Sequence, residues 1–184
     1  TDLRRRLRYV FQDPFIFTGS IYDNISLNNE TLQISDIKNA AKKLLKNDFV
    51  IVTMNHRSSY NHTFPAQIHD VKAAVRFLRA KAKDLKIDTT FIGITGYSSG
   101  GHLAALAGAS SYDRSVEGNV GKFLNFSSHI DAVVDFYGPT DMSVFDDCLK
   151  RMGKEFKSPR KIPLFDNFVD QVPKEVQRAN PIKY

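Results

Sequence analysis

At 184 residues with a formal net charge of +6, the chain is long enough for one domain that buries roughly 70% of its unfolded surface. No apolar run approaches the ~20 residues of a membrane-spanning helix, the arginine-rich opening lacks the apolar core of a signal peptide, and the single cysteine, Cys148, rules out an internal disulfide and suits a reducing, cytoplasmic setting. The positive charge draws on Arg4, Arg5, Arg6 and Arg8, but no nucleic-acid module accompanies them and no aromatic residues alternate with them as stacking platforms, so nucleic acid is not an expected partner. The N-x-S/T sequons at Asn24, Asn29, Asn61 and Asn125 carry little weight without a secretory signal.

In the first forty residues, Leu7 to Phe11 reads as a short strand. Ser35 or Asp36 then serves as the N-cap of a helix that carries Ile37, Ala40, Ala41, Leu44 and Leu45. The run LRRRLRYVFQDPFIFTGSIYDNI at 3–25 resembles the nucleotide-binding domain of an ABC transporter around its glutamine loop. That resemblance would make Gln12 the loop glutamine. It brings no ATP chemistry with it, because the G-x-x-x-x-G-K-[ST] loop whose N–H groups cradle phosphates is missing, as are the LSGGQ signature and the acidic strand that helps hold magnesium.

From Asp48 the pattern changes. FVIVTM at 49–54 is predicted to be a buried strand, followed by the polar loop Asn55-His56-Arg57-Ser58 at its carboxyl end. Pro65 suits the first turn of a helix. Ile68, Val71, Ala74, Val75 and Leu78 recur on one face of that helix, and Lys72, Arg76, Arg79 and Lys83 occupy the opposite face, as on a helix lying against a sheet. His69 and Asp70 are adjacent and therefore diverge on a helix, which makes them structural residues and a poor catalytic couple.

The most informative stretch is FIGITGYSSGGHLAALAGA at 91–109. The apolar run Thr90 to Thr95 predicts a strand, and Gly96-Tyr97-Ser98-Ser99-Gly100 fits G-x-S-x-G. In that motif a serine sits on a tight strand-to-helix turn that lifts its hydroxyl above the sheet edge. Side chains in place of Gly96 or Gly100 would collide with neighbouring backbone. The small residues from His102 to Ala109 let a helix lie close to the sheet, and its first N–H groups favour a developing oxyanion. Ser98 is the candidate nucleophile and the backbone N–H of Ser99 the candidate oxyanion donor. The competing reading is a glycine-rich turn with an ordinary serine.

A polar stretch, Ser110 to Ser128, leads to a strand at Ile130 to Phe136 and the turn Gly138-Pro139-Thr140-Asp141. Alternating strands and helices with short connections predict an α/β fold with parallel strands, and a ligand crevice at their carboxyl ends, where Ser98 falls. Residues 142–178 mix Phe145, Met152, Phe156, Leu164, Phe165 and Phe168 with many charges. They are either a cap or a loosely packed surface segment.

The pieces FVIVTMNHRSS (49–59), FPAQIHDVKAAVRFLRA (64–80), GYSSGGHLAAL (96–106), DAVVDFYGPTD (131–141) and ANPIKY (179–184) resemble, in order and spacing, the esterase and lipase branch of the α/β-hydrolase superfamily. The relatives in view are hormone-sensitive lipase and the bacterial feruloyl and acetyl-xylan esterases. The resemblance implies a partial α/β-hydrolase fold, three-layered with parallel strands and flanking helices, with 142–178 as part of the cap. It also implies a serine hydrolase acting on small-molecule carboxylic esters without metal or cofactor. On this reading residues 1–42 are a transporter-like fragment and 43–184 a truncated hydrolase core. The two meet without a linker, as at the join of a chimera.

Two parts of the expected machinery are absent. A serine needs a histidine to take its proton and a carboxylate to orient that histidine, and in the resembling family both lie beyond ANPIKY. Within the chain, His102 is too close along the helix to reach Ser98 in line. His129 precedes its strand, at the far end of the sheet, and Asp141 belongs to a turn that resembles a structural element. The HGGG-type loop that gives the second oxyanion donor is also missing, so activity near zero is expected. The family's third strand has no counterpart in the hydrolase-like part. Leu7 to Phe11 is expected to fill the gap between 49–54 and 90–95 as a parallel strand, the alternative being a partly molten chain with unpaired strand edges.

Overall fold

The computed structural model describes residues 5–12, 49–144, 147, 148, 151 and 161–184, the first stretch by its backbone alone. The helix predicted from Ser35 or Asp36 and the cap residues Phe145, Met152 and Phe156 lie outside the described residues, as does the boundary placed at 42.

Arg5–Gln12 (β1) runs parallel to Phe49–Met54 (β2), with Arg6 beside Phe49 and Gln12 beside Met54 and one register shift between Leu7 and Tyr9. Its other edge carries Gly93–Tyr97 (β4), also parallel, with Val10 beside Ile94 and Gln12 beside Gly96. The short Ile87–Asp88 (β3) pairs with the start of β1. Ala132–Phe136 (β5) joins the outer side of β4 in continuous register. The order is therefore β2-β1-β4-β5, with β1 in the gap expected for it from the sequence. A central strand satisfies N–H and C=O groups on both neighbours, and this removes the unpaired edges that an empty slot would leave.

Helix Ala66–Ala80 (α1) follows Pro65, the short Ala82–Leu85 (α2) follows α1, and Ser99–Ala109 (α3) follows β4 directly. The helices α1 and α3 pack against each other, and α3 lies along β4 and β5. Ile68, Val71 and Val75 of α1 are fully buried, together with Ile92, Ile94, Ala104 and Leu106. This is the apolar stripe expected from the three- and four-residue spacing. The strand predicted at Thr90 to Thr95 is displaced, since pairing starts at Gly93 and leaves Phe91 exposed.

The basic face of α1 departs further from expectation. Lys72 and Arg76 do not point to solvent, because 0% and 1% of their surfaces remain exposed. The polar stretch after α3 folds over them and supplies acceptors. Lys72 Nζ donates to the Ser110 carbonyl at 2.9 Å and faces the Glu117 carboxylate at 3.3 Å. Arg76 pairs with the same carboxylate and donates to the Val120 carbonyl at 2.8 Å, and the Ser128 hydroxyl donates to Glu117 at 2.6 Å. Almost one turn further along α1, Arg79 donates to the Ser127 carbonyl at 2.9 Å. Burial opposes ionisation of Glu117, but Ser128, Lys72 and Arg76 together outweigh it and hold the carboxyl below its ordinary range.

The described end of the expected cap is well packed. Ile162, Phe165, Val176 and Ala179 belong to the buried core, the last two on Pro173–Ala179 (α4). Phe165 meets Phe64 edge-on at 6.2 Å, and the Phe64 N–H donates to the Leu164 carbonyl at 2.7 Å. These contacts tie the described end of the segment expected at 142–178 to the core, although many of its other residues are exposed.

Candidate active site

The turn from β4 into α3 is tight because its residues allow it. A Cβ on Gly96 would collide with the backbone of Gly100 and Gly101, so the strand can reverse into the helix only with glycine there. Ser98 takes the bend with φ 51 and ψ −120, a positive-φ conformation that costs a non-glycine residue on the order of 1–3 kcal/mol. Its N–H donates to the Phe136 carbonyl at 3.0 Å, and its carbonyl accepts the His102 N–H at 2.9 Å. The strained residue is thus tied to the ends of both strand and helix. Ser98 is half-buried, at the carboxyl end of the parallel sheet, as the motif predicts. No described side chain hydrogen-bonds its hydroxyl, and no described acceptor takes the N–H of Ser99. Among the described residues, neither this hydroxyl nor the adjacent helix N-terminal donor has a partner.

The three other candidates are placed elsewhere. His102 is only 3% exposed, and its Nδ1 is 2.7 Å from the Pro139 carbonyl. Burial pushes its pKa below the usual value, against the opposing influences of the Pro139 carbonyl and Asp135. His129 pairs with Asp131 at 3.4 Å beneath the Tyr112 ring. It lies at the amino end of β5, a strand length from Ser98, which is roughly 16 Å for five residues. Asp141 accepts from the Ser143 hydroxyl and N–H, at 2.5 and 2.9 Å, and from Asn180 Nδ2 at 2.8 Å. The Ser143 hydroxyl is the main reason its pKa lies below the carboxylate range. Asn180 Oδ1 in turn accepts the Met142 N–H at 2.8 Å. Asp141 is therefore a latch between the GPTD turn and ANPIKY, in line with its structural reading.

Asp70 also has a structural role, one whose partner the sequence does not reveal. It takes the Arg57 guanidinium in a two-pronged grip, with Nη2 to Oδ1 at 2.8 Å and Nε to Oδ2 at 3.0 Å, and accepts the Arg57 N–H at 2.9 Å. This fixes the loop after β2. Gln12 ends β1 beside Gly96, two positions before the nucleophile. Among the described residues no group of three His, Cys, Asp or Glu side chains could hold a metal ion, and no helix is long and apolar enough to cross a membrane.

Similarity to known proteins follows the same lines. The BD-FAE family profile matches residues 23–184. Probable carboxylic ester hydrolase LipM of Mycobacterium tuberculosis is 31% identical over 126 residues, covering 68% of this chain and 27% of LipM. Among solved structures, the Bifunctional GH43-CE of Bacteroides eggerthii superposes with a TM-score of 0.77 at 34% identity, covering all of this chain and 23% of that one. A truncated carbohydrate esterase from gut microbiota superposes with a TM-score of 0.74 at 32% identity, covering all of this chain and 63% of the other. The chain thus spans about a quarter of the curated relative. The family match crosses residues 40–43 without a break, and the resemblance of the first forty residues to a transporter gains no support from any of these similarities. With a parallel sheet, flanking helices and a serine elbow between β4 and α3, the fold is that of an α/β-hydrolase and the chain belongs to the BD-FAE family.

Proposed function

We propose that this chain carries the nucleophile half of a carboxylic ester hydrolase, with Ser98 as acyl acceptor and the Ser99 N–H as one oxyanion donor. The carrying observation is Ser98 itself, a non-glycine residue at φ 51 on the junction of β4 and α3. In the reaction, Ser98 Oγ bonds to the ester carbonyl carbon and gives up its proton. The Ser99 N–H stabilises the resulting oxyanion, and the alcohol departs with a proton. Water then releases the acid and regenerates the serine.

Neither His102, engaged with Pro139, nor His129, paired with Asp131, is placed to take the Ser98 proton. Turnover by this chain is therefore expected to be near zero, and phosphonylation, which needs the same proton removed but has a better leaving group than an ester, is expected to be slow and confined to Ser98. Names among the relatives, a carboxylic ester hydrolase and a carbohydrate esterase, make acetylated and feruloylated sugars the first substrates to try.

The test is labelling by a fluorophosphonate probe. Modification of the wild type at Ser98 and none in Ser98→Ala supports the reading. Equal labelling of both proteins, or none of either, removes it.

A further inference from the structure

Two buried polar atoms beside the elbow lack partners. Ser99 Oγ and His102 Nε2 are shielded from solvent, and neither meets a hydrogen-bonding atom among the described residues. A buried polar group left unpaired costs about 1–3 kcal/mol. Three residues apart on α3, the two side chains share one helix face, a single turn from each other.

The other end of the imidazole fixes what each atom can do. The Pro139 carbonyl only accepts hydrogen bonds, so His102 Nδ1, 2.7 Å away, must carry the proton. In the neutral ring Nε2 is then an acceptor, and burial favours the neutral ring. The Ser99 hydroxyl has a proton to give. Glycines make the arrangement possible, because a Cβ on Gly138 would strike the backbone of Gly101 and His102. The first turn of α3 therefore rests directly on the turn that carries Pro139.

We propose that Ser99, His102 and Pro139 form a positioning relay, in which Ser99 Oγ–H donates to His102 Nε2 and His102 Nδ1–H donates to the Pro139 carbonyl. The first bond forms after a χ1 rotation of Ser99 or through one enclosed water. The relay anchors Ser99, whose N–H is the oxyanion donor, to the turn that follows β5, while Ser98 is already tied to the end of that strand through Phe136. Its purpose rests on the ester-hydrolase reading, whereas its existence is a separate matter of hydrogen bonding.

Ring-nitrogen NMR on the full chain decides that existence. His102 should hold one neutral tautomer at neutral pH, protonated at Nδ1, and Ser99→Ala should move the Nε2 resonance and leave Nδ1 in place. A proton on Nε2, or an Nε2 resonance indifferent to Ser99→Ala, overturns the relay.

Fluorophosphonate labelling rates decide its purpose. Ser99→Ala and His102→Leu should each slow labelling roughly tenfold, as small misplacements at a reacting centre do, and the double variant should be no slower than the slower single one. His102→Asn, which keeps a donor for Pro139, should retain the thermal midpoint and still label slowly. Additive losses, or full labelling by His102→Asn, would reduce His102 to a packing residue. A wild type that never labels sinks the ester-hydrolase reading, while the ring-nitrogen resonances still decide whether the relay exists.

Discussion

The strands β4 and β5 run side by side in one register, with Ile94 beside Val133 and Thr95 beside Val134. Yet Ile94 is fully buried, while Val133 and Val134 are 39% and 41% exposed. Their residue types are equally suited to a strand interior, so the difference comes from neighbours. β4 has β1 on one side, β5 on the other and α3 across it, and α1 closes over α3 under the Lys72–Arg76–Glu117 network. β5 has β4 and α3, and among the described residues no strand takes its outer edge. An apolar run states a preference for burial, and the elements around it determine whether that preference is met. The edge left by β5 also lacks the lysines, proline or bulge that usually blunt such edges.

Breaking the cover over the buried side should have the largest effect. Glu117→Ala leaves Lys72 and Arg76 buried without their carboxylate, and removing one partner of a buried pair costs about 3–5 kcal/mol. Urea unfolding measures this, and a loss below about 1 kcal/mol would mean that backbone carbonyls alone satisfy both cations. Next comes the pair across the register. Ile94→Ala should cost about 2–5 kcal/mol, against less than about 1.5 kcal/mol for Val133→Ala at its exposed position. Equal losses would erase the distinction between the strands.

Acid sharpens the first prediction. The carboxyl of Glu117 is held below its ordinary range in the fold, so its stabilisation is complete above that range and disappears as pH falls through the depressed value. The deficit of Glu117→Ala measured at neutral pH should therefore shrink on acidification. A deficit that stays constant into strong acid would mean that charge is not its source. The smallest expected effect is that of Val134→Lys, within about 0.5 kcal/mol of wild type. Light scattering on concentration should nevertheless fall, since a charge on an open edge discourages pairing with a second chain. A large loss of stability would show that the outer edge is covered after all.

What was legible in the sequence was local. The apolar run, the glycines and the small residues from Phe91 to Ala109 specify strand, elbow and helix because each constraint acts over a few residues, and Ser98 stands where they put it. The place of β1 could be read because two neighbours of known order left one slot between them. The burial of Lys72 and Arg76 could not be read, because it depends on Glu117 and Val120 more than forty positions on. Helical periodicity separates two faces without saying what will lie on the second. His102 and Pro139 are likewise 37 positions apart, and nothing in the G-x-S-x-G pattern announces their bond.

The placement of β1 also bears on how the protein is made. Among the described strands this one is the first to leave the ribosome, while its partners β2 and β4 begin at Phe49 and Gly93. At roughly 5–20 residues per second, it waits several seconds for its second neighbour. During synthesis the middle of the sheet is therefore completed only after the segment that bears Ser98 has emerged. Chaperones that shelter short extended segments through that interval should raise the yield of folded chains more than those that act after release.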